Sequence, residues 1–128
     1  MNNNLIFGAV LGLGLAGCAE TVPVTSAPMQ VNAAAISQAH AIAAYDLFDP
    51  SSAQFRGDRM YKLSSGDYVV CGEMNGKNQL GGYVGFTPYY VRMAYARGQA
   101  TKKVMQIDFM ASDGCRQAAS GTVNVLAE

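Results

Sequence analysis

The sequence has little of what enzymes and metal-binding proteins most often need. His40 is its only histidine, and its three cysteines form no C-x-x-C pair. No serine, cysteine or aspartate motif near His40 indicates a nucleophile with its base. The carboxylates on the predicted strands, Asp67, Glu73 and Asp108, follow no spacing that pairs them. We therefore predict no catalytic residue, no metal ligand and no cofactor, and we interpret the protein as a non-enzyme.

The sequence also lacks an excess of either charge. Nine lysines and arginines balance nine aspartates and glutamates, so the formal net charge is zero. A protein that binds nucleic acid through its phosphates needs a basic surface. The composition thus predicts no nucleic-acid partner.

The longest apolar segment, Leu5–Leu15, is too short to cross a bilayer as a helix, which needs about 20 residues. Its length is that of the apolar region of a secretory signal peptide, although Met1–Asn4 contributes no lysine or arginine. The tetrapeptide at positions 15–18, LAGC, resembles the lipobox of bacterial lipoproteins. The sequence therefore predicts a lipoprotein signal peptide over residues 1–17.

The lipobox resemblance implies a role for Cys18. In bacterial lipoproteins the cysteine after the small residues receives acyl chains such as palmitate and becomes the mature N-terminus, so Cys18 would carry the lipid. Position 19 is alanine rather than aspartate, which in the enterobacterial sorting pattern indicates the outer membrane. We expect attachment to the periplasmic face of that membrane. The plain alternative is a secreted protein in which Cys18 carries no lipid.

Committing Cys18 to lipid leaves two cysteines, Cys71 and Cys115, in an oxidising compartment. A disulfide bond between them would close a loop of about 45 residues and add about 4 kcal/mol in the chain-entropy model. The competing interpretation is a reactive or metal-binding pair of thiols, but no cluster of other ligand residues accompanies them. The sequence thus favours a disulfide bond.

The segment after the signal peptide, residues 18–31, contains two prolines, two threonines and a serine, without a hydrophobic period. This composition is typical of a flexible tether. We predict that it connects the lipid to a single folded domain over residues 32–128.

The first part of that domain, Asn32–Phe48, is rich in alanine, and Asn32 is a good helix cap. Its apolar side chains recur at the spacing of one helix face. His40 falls at the edge of that face, where we expect a partly buried packing residue. Pro50 predicts that the helix stops at Asp49.

The rest of the domain has the apolar and polar alternation of β-strands. Turns at Ser64–Gly66 and around Gly98 predict two hairpins, with Gly66 in a left-handed conformation. The predicted strands are 59–63, 67–74, 83–96, 102–110 and a short final one over 122–126. We predict an α+β fold in which one N-terminal helix packs on a four- to five-stranded, mainly antiparallel sheet.

Three motifs resemble those of a group of small uncharacterised bacterial lipoprotein and secreted domains. The motifs of that group read D-P-x-S-A-x-F-R, C-G-x-x-N-x-K-N and G-G-Y-x-G-F. In this sequence they comprise Asp49, Pro50, Ser52, Ala53, Phe55 and Arg56; Cys71, Gly72, Asn75, Lys77 and Asn78; and Gly81, Gly82, Tyr83, Gly85 and Phe86. The resemblance covers about the middle third of the chain. It implies no biochemical activity, because none is assigned to the group.

The polar, glycine-rich segment between the second and third predicted strands has two interpretations. It can be a loop whose amide side chains bond its own backbone. It can also be a recognition loop, in which Asn75, Lys77 and Asn78 present polar groups to a partner. Tyr83 and Tyr89 would add a flat amphipathic surface. The composition favours the structural interpretation, and the two can hold together.

Together these features favour a lipid-anchored interaction or structural module of the cell envelope. We expect contact with the membrane through the lipid, and an envelope protein or a glycan as a further partner. An inhibitor or immunity-type binder is an alternative, and a small hydrolase is a weaker one. Convergence of His40, Glu73 and Asp108 in one cleft would support the hydrolase. An exposed patch at residues 75–83 would support binding.

Overall fold

The computed structural model describes residues 17–127, so the predicted signal peptide lies outside the described residues except for Gly17. Within these residues, six strands form one antiparallel sheet in the order β5-β4-β3-β2-β1-β6, with a helix on each face. The predicted α+β class is confirmed, with one strand more than the highest number predicted and a second helix. The strands are β1 (Thr21–Met29), β2 (Gln54–Leu63), β3 (Tyr68–Asn75), β4 (Thr87–Ala96), β5 (Gln99–Ile107) and β6 (Thr122–Leu126), and the helices are α1 (Ala33–Ala44) and α2 (Asp108–Ser120).

Helix α1 begins where the sequence predicts it. The side-chain oxygen of Asn32 accepts the Ala35 N–H at 3.1 Å and caps the helix. The helix ends at Ala44, earlier than predicted, where the Tyr45 N–H bonds the carbonyl three residues before it and closes a tighter last turn. The predicted apolar face is buried against the sheet. The resulting core contains Ala35, Ile36, Ala39, Ala43, Met60, Val70, Met74, Tyr89, Val91 and Met93.

The opposite face of the sheet is covered by α2, a helix that the sequence did not predict. Its buried side chains are small, namely Ala111, Cys115 and Ala118. Gly114 lets the helix lie close to the sheet, since a Cβ there would come within 2.9 Å of the Tyr90 ring. The helix ends at Gly121, which has a left-handed φ of 100°.

The predicted strand over residues 102–110 is wrong at its C-terminal end. Strand β5 stops at Ile107, because Asp108 has a positive φ of 56° and turns the chain into α2. The Asp108 carboxylate accepts a hydrogen bond from the Thr87 hydroxyl at this junction. Phe109 therefore does not continue the alternation of the strand, and 80 % of its surface is exposed.

The interpretation of residues 18–31 as a flexible tether is wrong for Thr21–Met29. These residues form β1, which lies between β2 and β6. The first half of β1 pairs with β6 over Thr21–Thr25, and the second half pairs with β2 over Ser26–Met29. The folded domain thus includes a segment before the predicted boundary at residue 32.

Both prolines of β1 lie where the missing N–H removes no ladder hydrogen bond. The carbonyl of Thr25 accepts an N–H from the β2–β3 turn. Backbone groups two residues apart in a strand point to the same side, so the backbone nitrogen of Pro23 also points toward β2. At that position the pairing of β1 with β2 has not yet begun. The Ser26 N–H donates to the carbonyl of the residue just before β6, so the backbone nitrogen of Pro28, two residues later, points toward β6 as well. Pro28 lies beyond the last residue of β1 that pairs with β6. Proline is tolerated at such unpaired positions.

Both predicted hairpins are confirmed. Gly66 closes the β2–β3 turn with a φ of 93°, and Arg97 and Gly98 close the β4–β5 turn with φ values of 55° and 76°. The predicted strand over 83–96 is confirmed only from Thr87 onward, because residues 83–86 belong to the preceding loop.

A covalent bond joins α2 to the centre of the sheet. The Sγ atoms of Cys71 in β3 and Cys115 in α2 lie 2.16 Å apart and their Cα atoms 5.9 Å apart, which fits the predicted disulfide bond. Both cysteines belong to the core under α2. The third cysteine, Cys18, is exposed.

We expect loss of this bond to lower thermal stability strongly. The two cysteines are 44 residues apart in sequence. The chain-entropy model gives such a loop about 4 kcal/mol, and Cys71→Ser should lower the midpoint of thermal unfolding by about 10 °C or more, measured by circular dichroism. Cys18→Ser, which leaves the bond intact, is the matched control. An unaltered melting curve for Cys71→Ser would count against a stabilising bond.

Candidate functional site

Three polar side chains from three elements meet on the α1 face of the sheet. They are His40 from α1, Asp58 from β2 and Tyr89 from β4. The Asp58 carboxylate lies at the centre, with His40 Nε2 3.0 Å from both of its oxygens. The Tyr89 hydroxyl donates to Asp58 Oδ1 at 2.5 Å. We call this group the His40–Asp58–Tyr89 cluster.

A bulge in β2 brings Asp58 to this cluster. Between Arg56 and Arg59, β2 contains one residue more than the facing part of β3. Gly57 has a φ of 68°, a left-handed conformation that glycine adopts without steric cost. An acidic side chain is thereby placed beside α1.

Tyr89 is fully buried and lies over Gly72, its register partner in β3. A Cβ on Gly72 would come within 2.8 Å of the Tyr89 ring and 2.9 Å of Asp58 Oδ1, so glycine leaves the room that the cluster needs. Burial raises the pKa of Tyr89 well above its usual value, and the hydrogen bond to the Asp58 carboxylate raises it further. The hydroxyl therefore remains a hydrogen-bond donor at neutral pH.

His40 is held from two sides. Its ring stacks on Phe55 with a centroid separation of 3.7 Å and an interplanar angle of 3°, while Asp58 binds Nε2. The side chains of His40 and Asp58 each keep 24 % of their surface exposed. This geometry agrees with the expected partly buried packing residue at the edge of the helix face.

The cluster contains only part of the machinery of acyl transfer. A histidine oriented by an aspartate acts as a base when a nucleophile lies within hydrogen-bond reach. Within residues 17–127, His40 has no hydrogen bond to a serine, threonine or cysteine, and the Tyr89 hydroxyl donates to Asp58 rather than to His40. The hydrogen bonds instead tie α1 to β2 and β4.

The sequence singled out His40 but not Asp58. The predicted role of Tyr89 in a recognition surface is wrong, because its side chain is fully buried in the cluster. The three residues are far apart along the chain and meet only in the folded sheet. Gly57 lies before the predicted strand over 59–63, so no strand pattern around it indicated the bulge that redirects the next side chain.

The carboxylates weighed from the sequence do not join His40. Glu73 pairs with Arg56 at 3.2 Å, and Asp108 accepts from Thr87 at the start of α2. The three residues therefore have separate partners rather than one shared cleft. Across residues 17–127, no group of three histidine, cysteine, aspartate or glutamate side chains is arranged to hold a metal ion.

The two asparagines of the predicted recognition loop hold the loop together. Asn78 Oδ1 accepts the N–H groups of Leu80 and Gly82 at 3.0 and 3.1 Å. Asn75 is buried, and its Oδ1 accepts the Gly85 N–H at 3.0 Å. Both contacts agree with the structural interpretation of the loop.

The other two predicted residues attach the loop to the turn Pro50–Ser52. The Lys77 N–H donates to Ser52 Oγ at 2.9 Å, and the Tyr83 hydroxyl donates to the Ser52 carbonyl at 3.0 Å. Lys77 Nζ lies 5.7 Å from the centre of the Tyr83 ring. The loop is thus anchored at both sides of its tip.

Large apolar side chains at and beside this loop are open to solvent. Leu80, Val84 and Phe48 expose 94 %, 72 % and 66 % of their surfaces. Phe48 and Val84 line one shallow pocket together with Lys77. We call Phe48, Lys77, Leu80, Tyr83 and Val84 the loop surface.

A groove runs beside α2 on the other face of the sheet. Its larger part is a cavity of about 440 Å³ between α2, β4, β5, β6 and the first residue of β1. A smaller cavity of about 230 Å³ continues it, since both are lined by Arg92, Val125 and Leu126. We call the two cavities together the α2 groove.

Arg92, a buried cation in the α2 groove, is neutralised within the protein. Arg92 is only 6 % exposed, and its guanidinium lies 3.2 Å from the Asp67 carboxylate. Burial raises the pKa of the neighbouring Tyr90 to about 12, while Arg92 lowers it and Asp67 raises it. The groove therefore presents no unpaired charge from Arg92 at neutral pH.

We expect Gly72→Ala to destabilise the fold by disturbing the His40–Asp58–Tyr89 cluster. The added methyl group would lie 2.8 Å from the Tyr89 ring and 3.0 Å from the Arg56 carbonyl, a backbone atom that cannot rotate away. Overpacking of this kind costs about 1–3 kcal/mol, measured as the free energy of unfolding in urea. Gly82→Ala is the matched control, because a Cβ there meets nothing closer than 3.8 Å. Equal stability of the two variants would show that the contact at Gly72 is not tight.

Comparison with known proteins adds no further constraint on this site. No family model matches the chain, and neither a curated protein nor a solved structure matches it. The resemblance to small bacterial lipoprotein and secreted domains therefore stays a prediction from sequence motifs. The function is therefore proposed from the chain's own sequence motifs and contacts.

Proposed function

We propose that this protein is a lipid-anchored module of the bacterial cell envelope that acts by binding a partner rather than by catalysis. The observation that carries the proposal is the division of its three cysteines. Cys71 and Cys115 lie at bonding distance inside the domain, whereas Cys18 is exposed and unbonded. The cysteine that the lipobox resemblance marks for acylation is thus the one that the fold leaves accessible.

The way the chain enters the domain supports an anchor close to the folded body. The Glu20 carbonyl accepts the Ala127 N–H at 2.9 Å, so the chain is already held one residue before β1. Only Ala19 separates Glu20 from Cys18. A lipid on Cys18 would hold the domain directly at the membrane surface.

The location that we propose is the periplasmic face of the outer membrane. Alanine at position 19 supports it, because aspartate there marks retention in the inner membrane in the sorting pattern that the segment resembles. In the described part of the chain, no helix has the length and apolar character needed to cross a bilayer.

A binding role is supported by the loop surface. Its most exposed side chains, Leu80 and Val84, are aliphatic, and such exposed apolar groups are typical of protein contacts. The hydrogen bonds of Asn75 and Asn78 fix the loop in advance, which lowers the entropy lost on binding. The same rigidity favours an inhibitor or immunity-type binder as the second candidate.

A non-catalytic role is supported by the His40–Asp58–Tyr89 cluster. Both donors of the cluster are directed at the Asp58 carboxylate, and the ring of His40 is covered on one side by Phe55. We propose that the cluster holds α1 on the sheet.

The anchor is tested by Cys18→Ser in cells that express the full chain. Without the thiol no acyl chain can be attached, so the protein should move from the membrane fraction to the soluble fraction. Ala19→Ser, which keeps Cys18, should stay with the membrane. Mass spectrometry of the N-terminal peptide should find acyl chains on Cys18 only when the thiol is present. Unchanged membrane association of Cys18→Ser would refute the lipid anchor.

The loop surface is tested by photo-crosslinking in intact cells. A photoreactive amino acid replaces Leu80 in one variant and the exposed Arg97, in the β4–β5 turn, in the control. The Leu80 variant should form one defined adduct that mass spectrometry identifies as an envelope protein, and the Arg97 variant should not. Identical adducts from both positions, or none from Leu80, would exclude the loop surface as the binding site.

A further inference from the structure

The α2 groove is bordered by large apolar side chains that the fold leaves in solvent. Phe109, Met110 and Leu126 line the groove and expose 80 %, 62 % and 54 % of their surfaces. Single exposed apolar residues are common on proteins, but several around one groove mark a contact surface. The short β5–α2 junction places two of them next to each other at the start of α2.

Cys18, the proposed site of the lipid, lies close in sequence to residues that line this groove. Thr21 lines its larger cavity, and Val22 and Val24 line the smaller one. The chain is fixed at Glu20 by the hydrogen bond from Ala127. The two steps from Glu20 to Cys18 span at most about 7 Å, so acyl chains on Cys18 would start next to the groove.

We propose that the α2 groove docks on the lipid bilayer in which Cys18 is anchored, with Phe109, Met110 and Leu126 inserted at the membrane interface. This inference rests on the proposed function, because it needs the lipid on Cys18. Apolar side chains at such interfaces enter about 5–10 Å into the boundary of headgroups and acyl chains. The buried pair of Arg92 and Asp67 adds no unpaired charge to the docked face.

Docking through this face also orients the domain. Helix α1 and the His40–Asp58–Tyr89 cluster lie on the opposite face of the sheet from α2. They would point away from the membrane. Phe48, which follows α1 and belongs to the loop surface, would remain in the aqueous compartment.

The chain contains no tryptophan, so one substituted tryptophan reports on its own surroundings. Phe109→Trp places the reporter at the α2 groove, and Phe48→Trp is the matched control at an exposed phenylalanine elsewhere. Each acylated protein is purified from membranes and reconstituted into phosphatidylethanolamine and phosphatidylglycerol vesicles. A parallel set of vesicles contains lipids brominated along the acyl chains, which quench nearby tryptophan.

We expect Phe109→Trp to shift its emission to shorter wavelength on vesicles and to lose at least about twofold in intensity with brominated lipid, since the side chain would lie within the interface. Phe48→Trp should change in neither respect. Equal quenching at the two positions would overturn the orientation. An unshifted Phe109→Trp would overturn the docking.

Three further outcomes separate the alternatives. A Phe109→Trp emission that shifts but is not quenched by brominated lipid would place the protein's own acyl chain in the groove, and bilayer docking would be wrong. Failure of both variants to float with vesicles, together with an unmodified Cys18 by mass spectrometry, would refute the proposed lipid anchor itself. Flotation without quenching of Phe109→Trp would refute the docking and leave the anchor intact.

Discussion

The bond between Cys71 and Cys115 is the contact on which the α2 side of the molecule depends. A sheet with two apolar faces needs a cover on each face. Helix α1 covers one of them with a continuous apolar stripe that includes Ile36. Helix α2 buries only Ala111, Cys115 and Ala118, which supply little apolar area. The covalent bond compensates for this small area, because it holds α2 against the central strand β3 whatever the strength of the surrounding packing.

Close packing around the bond is made possible by two glycines, each next to one of the cysteines in sequence. Tyr89 and Tyr90 are neighbours in β4 and point to opposite faces of the sheet. Tyr89 lies over Gly72, and Tyr90 contacts the helix at Gly114. The first glycine leaves room for the His40–Asp58–Tyr89 cluster on one face of the sheet. The second allows α2 to lie close to the sheet on the other face. The glycines that allow close packing around the disulfide bond thus also shape the candidate site on the opposite face of the sheet.

Local patterns predicted the parts of the fold that local interactions determine. The helix cap at Asn32 and the left-handed Gly66 were visible in the sequence. Helix α2 was not, because Gly114 and several polar residues lower its intrinsic helix preference, and the tertiary bond compensates. Strand β1 was missed because Pro23 and Pro28 argue against a strand until the ends of its two partners are known. The cluster could not be predicted at all without the register of β2 and β3, since the bulge decides where Asp58 points.

The inclusion of β1 in the sheet changes the expected relation between domain and membrane. A flexible tether over residues 18–31 would have a root-mean-square length of about 20 Å. The segment left between Cys18 and Glu20 reaches only about 7 Å. With the proposed lipid on Cys18, a domain held this closely would not turn freely away from the membrane, and its exposed apolar groups near the anchor would meet the bilayer. Under the same proposal, the domain would meet a partner of the loop surface in the layer next to the membrane, where anchoring would raise the effective concentration of the domain. Weak contacts through the exposed aliphatic side chains of Leu80 and Val84 would suffice under that confinement.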